Sequence, residues 1–277
     1  MATLCGLFGV PHTPAFPKLV NDGVGPADEI RRMYGRVRER VVDASPDIVL
    51  VLGDDHLNTF FLDNFPAFAV GMAASTWGPN DGTEGLPPRA VRSDQIFAEY
   101  VHAHLTSVGI EPTAVREYAI DHAMVVPLHF LLSDLDAAIV PVWINELVPP
   151  LPTSTRAYEL GARLREAVER YDADARIALV ASGSFSLEVG GVRIAPNANY
   201  GVPDPEWSET VVAHLRGARA SQLVALATPE RLNRAGNAGG ELLAWLAVWS
   251  AAGGRAPEFV DVQPQFGHAY ASWEVES

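Results

Sequence analysis

Apolar residues follow two rhythms along the chain. In the first, unbroken runs are cut short by glycine, proline or acidic residues: TLCGLFGV at 3–10, DIVLVL at 47–52, PAFAVGM at 66–72, AAIVPVWI at 137–144 and ARIALVAS at 175–182. Runs of that length without alternation read as strands covered on both faces. TAVREY at 113–118 predicts a shorter strand, and EFVDVQ and AYASWEV predict two more near the C-terminus. In the second rhythm, apolar positions recur every three or four residues. From Pro26 to Ala44, the side chains of Ile30, Met33, Val37 and Val41 share one helical face, behind a proline start and an acidic first turn of Asp28 and Glu29. Similar spacing predicts helices from Ser93, as its cap, to Val108, from Thr153 to Tyr171, from Pro205 to Leu215 and from Glu241 to Ala252. DHAMVVPLHFLLSDL at 121–135 opens like a helix, with Pro127 as an expected break.

Strands alternating with helices of this length predict an α/β fold: a single-domain sandwich over residues 1–277 with a central, largely parallel or mixed sheet flanked by helices. In such sheets ligands collect beyond the carboxyl ends of the strands. The proline-rich loop PHTPAFPK puts His12 just past the first strand. VLVLGDDHLNTFF at 49–61 passes from a buried strand straight into Asp54, Asp55 and His56. Polar groups at such a point are costly to desolvate unless they are paired or used. STWGPNDGTEGLPPR at 75–89 is a glycine- and proline-rich excursion of the kind that forms a lid or a subunit contact.

Composition narrows the chemistry. A formal charge of −14 leaves nothing to neutralise a row of phosphates and argues against nucleic acid. No apolar run is long enough to span a bilayer and no signal sequence follows Met1, so a cytoplasmic setting is expected. Cys5 is the only cysteine, which excludes a disulfide framework or a thiolate metal site. Any metal would be held by histidine and carboxylate.

Among the eight histidines, His102 and His104 lie two apart on one helix and face different directions, and His214 sits on another amphipathic helix; none of these reads as a ligand. His12, His56, His122, His129 and His268 remain. ASGSFSLEVGG at 181–191 looks like a strand-to-loop serine turn but does not fit G-x-S-x-G, and H-E-x-x-H, the Walker loop and G-x-G-x-x-G are all absent. Glu241 opens an apolar helix after a glycine pair expected to be flexible, where a glutamate commonly only complements the helix dipole. Two loop histidines and one carboxylate nevertheless match the facial triad of non-heme Fe(II) oxygenases.

GVPHTP (9–14), GDDHLNTFF (53–61), DHAMVVPL (121–128) and GGELLAW (239–245), in this order, resemble the class III extradiol ring-cleavage dioxygenases, the superfamily of the protocatechuate 4,5-dioxygenase catalytic β subunit. The resemblance implies Fe(II) held by His12, His56 and Glu241, with Asp54 and Asp55 orienting His56 or its neighbour. It implies a pocket lined by His122, and an aromatic substrate opened with O2. His268 is a further candidate, for substrate binding. Some family members carry a small helical accessory subunit, of which no fused copy is visible. A homo-oligomer is expected, contacting through the excursion from Ser75 to Arg92.

One position departs from the family. Where the family reads S-G-G-x-S-H and uses that histidine for acid–base work, this chain reads Ser182, Gly183, Ser184, Phe185, Ser186, Leu187. No histidine lies between His129 and His214, so no small shift of register restores it. The favoured reading is ring cleavage of a catechol-like, aminophenol or hydroxypyridone-type aromatic, with His122 or His268 moving the proton. An Fe(II) enzyme of the same fold with another reaction, a silent partner subunit and a zinc-dependent hydrolase are the alternatives.

Overall fold

The unbroken apolar runs become strands of one eight-stranded sheet in the computed structural model, which describes residues 1–275. In chain order the strands are β1 (Thr3–Val10), β2 (Ile48–Gly53), β3 (Phe68–Gly71), β4 (Ser75–Gly78), β5 (Arg89–Arg92) and β6 (Thr113–Val115). They continue with β7 (Ala138–Ile144), β8 (Arg176–Ser182), β9 (Glu188–Val189), β10 (Tyr200–Gly201), β11 (Phe259–Gln263) and β12 (His268–Trp273). The helices are α1 (Phe16–Asp22), α2 (Ala27–Ala44), α3 (Gln95–Ser107), α4 (His122–Leu132) and α5 (Ser154–Arg170). After them come α6 (Pro205–Arg216), α7 (Ala220–Leu226), α8 (Pro229–Arg234) and α9 (Leu242–Ala251). The sheet runs β11-β12-β1-β8-β2-β7-β3-β6, while β4 with β5 and β9 with β10 form separate ribbons.

At the centre, β1, β8, β2 and β7 pair in parallel, and β12 and β3 join this group antiparallel on its two sides. Residues of β2 alternate between two cores. Ile48, Leu50 and Leu52 enter one, with Phe97 of α3, Leu160 of α5 and every apolar residue of α9; Val49 and Val51 enter the other, with Val37 of α2 and Met124 of α4. Helices therefore cover both faces, which is why the central strands lack polar alternation. All ten residues of α9 are buried, so it is apolar all round rather than amphipathic. No helix among the described residues is long and apolar enough to cross a membrane.

This topology gathers chemistry at one end of the sheet. His12 follows β1, Asp54 to His56 follow β2, Glu146 follows β7 and Ser184 follows β8. Because β12 runs antiparallel to β1, its first residue, His268, lies at the same end. His268 thus opens a strand and does not lie on a loop.

Local details differ from the sequence reading. The proline-rich stretch after β1 holds helix α1, and the short helices α7 and α8 carried no clear periodic signal. Asp94, not Ser93, caps α3 by accepting the Phe97 N–H, while Ser93 Oγ donates to Ile139 O at 2.8 Å. Pro127 does not break α4, which continues through it to Leu132. Glu241 closes a single 3₁₀ turn, Gly239–Glu241, ahead of α9. The glycine pair is buried and tightly confined: a Cβ at Gly240 would lie 1.9 Å from Glu146 O.

Candidate metal centre

His12 is fixed by a chain of buried hydrogen bonds. Pro127 has no N–H to offer the carbonyl of Ala123, four residues before it in α4. The hydroxyl of Ser182, last residue of β8, donates to that carbonyl instead, at 2.5 Å. Its single proton committed, Ser182 Oγ can only accept from His12 Nδ1, 2.9 Å away. The neutral ring is thereby left with its lone pair on Nε2, which lies 3.5 Å from Glu241 Oε1.

Asp121 does the corresponding work for His56. Its Oδ1 caps α4 through the Ala123 N–H at 3.0 Å. Its Oδ2 accepts from the His56 backbone N–H at 2.7 Å and from His56 Nδ1 at 3.2 Å. A carboxylate behind one ring nitrogen, with the other free, is the support that metal-binding histidines receive. The sequence reading gave this task to Asp54 or Asp55. Asp55 instead accepts the N–H groups of Asn58, Thr59 and Phe60, shaping the turn that carries His56. Asp54 lies on the opposite side of the ring, 3.8 Å from Nε2.

Glu241 is held by the Ser184 N–H on Oε2. The chain reaches that position through Gly183, whose φ is +157° and whose hypothetical Cβ would lie 2.6 Å from Glu241 Cβ. Oε1 of Glu241 has no partner, although the residue is fully buried. Ligand-capable atoms of Asp54, His56 and Glu241 lie within 4.8 Å of one another, as do those of His12, His56 and His122. Orphaned buried carboxylate oxygens facing the outer ring nitrogens of two histidines fit a divalent cation.

The electrostatics agree. Burial alone would strip protons from the two histidines, but Glu241 beside His12, and Asp54 and Asp121 around His56, outweigh it and raise both, His56 to about 10. Burial raises Asp54 to about 6 and pushes Glu146 well above the carboxylate range. The pocket therefore draws positive charge, which a metal would supply in place of protons.

His122 stacks on His56 with ring centroids 4.0 Å apart and stands 5.5 Å from the His12 ring. Its Nδ1 pairs with Asp81 Oδ2, and its backbone N–H reaches the same oxygen at 3.2 Å. Burial and the neighbouring His56 charge lower its pKa, so the ring is neutral near pH 7. Asp81 belongs to the excursion between β4 and β5, which walls the site. His268 joins the residue after His12: its Nε2 meets Thr13 Oγ1 at 2.8 Å, and burial pushes its pKa down to about 3. His129 lines a separate hollow with Val20 and Tyr34, and His102, His104 and His214 bond elsewhere on their helices' surroundings. Leu187 is half-buried, and its carbonyl accepts from Ala238 N–H at 3.1 Å.

Sequence reasoning missed Asp81, Glu146 and the hydrogen-bonding roles of Asp121 and Ser182. The acidic residue beside a strand end (Glu146) was the one readable signal; the other partners lie too far away in sequence.

A parallel α/β centre ending in two supported histidines and an orphaned glutamate oxygen defines a class: α/β proteins with a candidate two-histidine, one-carboxylate metal site. Residues 6–272 match the family model described as "Catalytic LigB subunit of aromatic ring-opening dioxygenase". The chain belongs to that family and is an extradiol-type ring-cleaving dioxygenase. It is 28% identical to a 2,3-dihydroxyphenylpropionate/2,3-dihydroxicinnamic acid 1,2-dioxygenase of Klebsiella pneumoniae subsp. pneumoniae, over 87% of both chains. An enzyme of the same name from Photorhabdus laumondii subsp. laumondii is 29% identical over 66% of this chain and 55% of its own length. One from Escherichia coli is 33% identical over 57% of this chain and 49% of its own length. The crystal structure of uncharacterized protein JW3007 from Escherichia coli K12 superposes with a TM-score of 0.62 at 15% identity, covering 98% of this chain and 100% of that one, a likeness of fold alone.

Proposed function

We propose that this chain uses Fe(II), held by His12, His56 and Glu241, to open an aromatic ring that carries two adjacent donor atoms. The substrate class is a catechol, an aminophenol or a hydroxypyridone, with O2 as co-substrate. The observation that carries this reading is the set of buried donors without partners. Hydrogen bonding to Ser182 leaves the lone pair of His12 on Nε2, and Glu241 Oε1 has no bond of its own. The relatives' names, which specify vicinal diols, support the catechol end of the class. When bound, the metal would bring the ring's donors and O2 together at its open positions.

The remaining work is done by side chains. His122, neutral near pH 7 with Nδ1 paired to Asp81, has Nε2 available to take a proton from the second ring substituent and return it as the ring opens. Asp81 fixes the tautomer and stabilises the ring once it is charged. His268 borders the site as a hydrogen-bonding group, and burial, which lowers its pKa to about 3, disfavours its charged form and so favours His122 as the proton carrier. Leu187, in the register of the family's acid–base histidine, can move no proton.

Anaerobic loading with Fe(II), followed by exposure to O2 with catechols, aminophenols and hydroxypyridones, tests the proposal. Oxygen consumption with a coloured ring-opened product supports it. Bound zinc with no oxygen consumed would replace it with the hydrolase reading. Assembly into a homo-oligomer through the β4–β5 ribbon, where Trp77 stands 49% exposed, belongs to the same proposal, and a monomeric mass at micromolar concentration would overturn that part.

A further inference from the structure

Asp54 makes no hydrogen bond in the arrangement described so far. It follows β2 directly, its side chain is fully buried, and both Oδ1 and Oδ2 lack a hydrogen-bond partner. Among the described residues it is the only carboxylate with both oxygens orphaned in this way. The turn around it is not short of donors, since the next residue, Asp55, takes three backbone N–H groups. Glu146 is no partner either: its Oε1 accepts from the Ala244 N–H at 2.7 Å, and its Oε2 is unpaired.

We infer that Asp54 is a fourth protein ligand of the metal. This rests on the reading that His12, His56 and Glu241 hold a divalent cation. Two donors each about 2.1 Å from a shared ion lie between about 3.0 Å apart, at right angles, and about 4.2 Å apart, opposed. The separations of His12 Nε2 from Glu241 Oε1 and of His56 Nε2 from Asp54 Oδ2, 3.5 and 3.8 Å, both fall in that window. Two carboxylates also balance a divalent charge, which one carboxylate leaves half uncompensated.

The four donors differ in how they are secured. Ser182 holds His12, Asp121 holds His56 and the Ser184 N–H holds Glu241, whereas no hydrogen bond holds Asp54. If substrate donors needed room on the metal, Asp54 would be the donor best able to move aside, since no hydrogen bond fixes its carboxylate.

The test measures metal binding in the full chain, anaerobically, by chelator competition with Fe(II) and by the visible absorption of the Co(II) form. Wild type, His12→Ala, Asp54→Asn and Asp54→Ala are compared, with formate added back to the last. The expected result is a loss of Fe(II) affinity in Asp54→Ala greater than about 100-fold, beyond the 10–100-fold that removal of an outer partner costs. Formate should recover part of it, and the Co(II) bands should change in both Asp54 variants. If both Asp54 variants bind Fe(II) as wild type does, with unchanged Co(II) spectra, while His12→Ala loses it, Asp54 is no ligand and the three-ligand reading stands. If wild type itself binds neither metal stoichiometrically, both readings fall.

Discussion

Ser182→Ala probes the relay that would present His12 to the proposed metal. The substitution removes the hydroxyl that donates to Ala123 O at 2.5 Å and accepts from His12 Nδ1 at 2.9 Å. Both surviving groups are buried. Pro127 cannot return an N–H to the carbonyl, so that oxygen stays unsatisfied at a cost of about 1–3 kcal/mol, and the ring N–H adds a similar amount. Losing the group that fixes the tautomer should weaken metal binding by about 10–100-fold. Pro127→Ala separates the two effects. In the double variant the backbone N–H restored at position 127 can reach Ala123 O within α4, so part of the stability should return, yet nothing new faces His12 Nδ1 and the metal affinity should not. Urea denaturation of the metal-free protein reads the first quantity, and chelator competition with Fe(II) reads the second. Retention of wild-type affinity in Ser182→Ala, or recovery of affinity along with stability in the double variant, would refute the relay.

Other changes test other parts of the site. His12→Ala, His56→Ala and Glu241→Ala should each abolish stoichiometric metal binding while the far-ultraviolet circular dichroism is kept, since all three lie beyond the strands and not within them. His122→Phe should retain metal and lose about 10²–10⁴-fold in turnover; Asp81→Asn should lose turnover with it, because Asp81 fixes the imidazole, and Leu187→His should widen the range of catechols accepted, both read by oxygen uptake. His268 predicts a pH dependence of stability. Its folded pKa of about 3 lies below the ordinary 6.5, so the unfolded chain takes the proton first and stability is lost as pH falls from 6.5 toward 3. By pH 5 the loss is about 2 kcal/mol, and urea midpoints of His268→Phe should lack that component of the slope.

The sheet was legible because both faces of its central strands are covered, which leaves runs such as IVLVLG apolar throughout. Helices with one exposed face, such as α2, showed their period; α9 was legible only as an apolar stretch. Helix α1 was hidden by the prolines around it, and the role of Pro127 was misjudged because a missing N–H reads as a break until its orphaned carbonyl finds Ser182. The candidate ligands could be read from their position at strand ends and from the motifs around them. Their partners could not: Asp121 supports His56 from 65 residues away and Asp81 holds His122 from 41 away, and no local rule connects such pairs. Ser182 drew notice as a serine turn, but for nucleophilic chemistry rather than for the proton it commits to Ala123 O.

With leucine at position 187, the inventory of proton carriers near the ring is short. His12 and His56 are taken up as proposed metal ligands, and burial disfavours the charged form of His268, whose Nε2 is bonded to Thr13. That leaves His122, whose protonation is tied through Asp81 to the wall between β4 and β5. A single imidazole can serve both halves of the reaction if the proton it takes from the second ring substituent is the one it gives back. A catechol asks this histidine to remove a hydroxyl proton before anything else can happen. A ring whose second donor is a neutral amine or is already ionised omits that step and meets His122 only as a later donor. The ratio of turnover on such rings to turnover on catechols should therefore rise as pH falls through the His122 titration, because protonated His122 can still act as donor but not as base. A ratio independent of pH would place the proton traffic on some group other than His122.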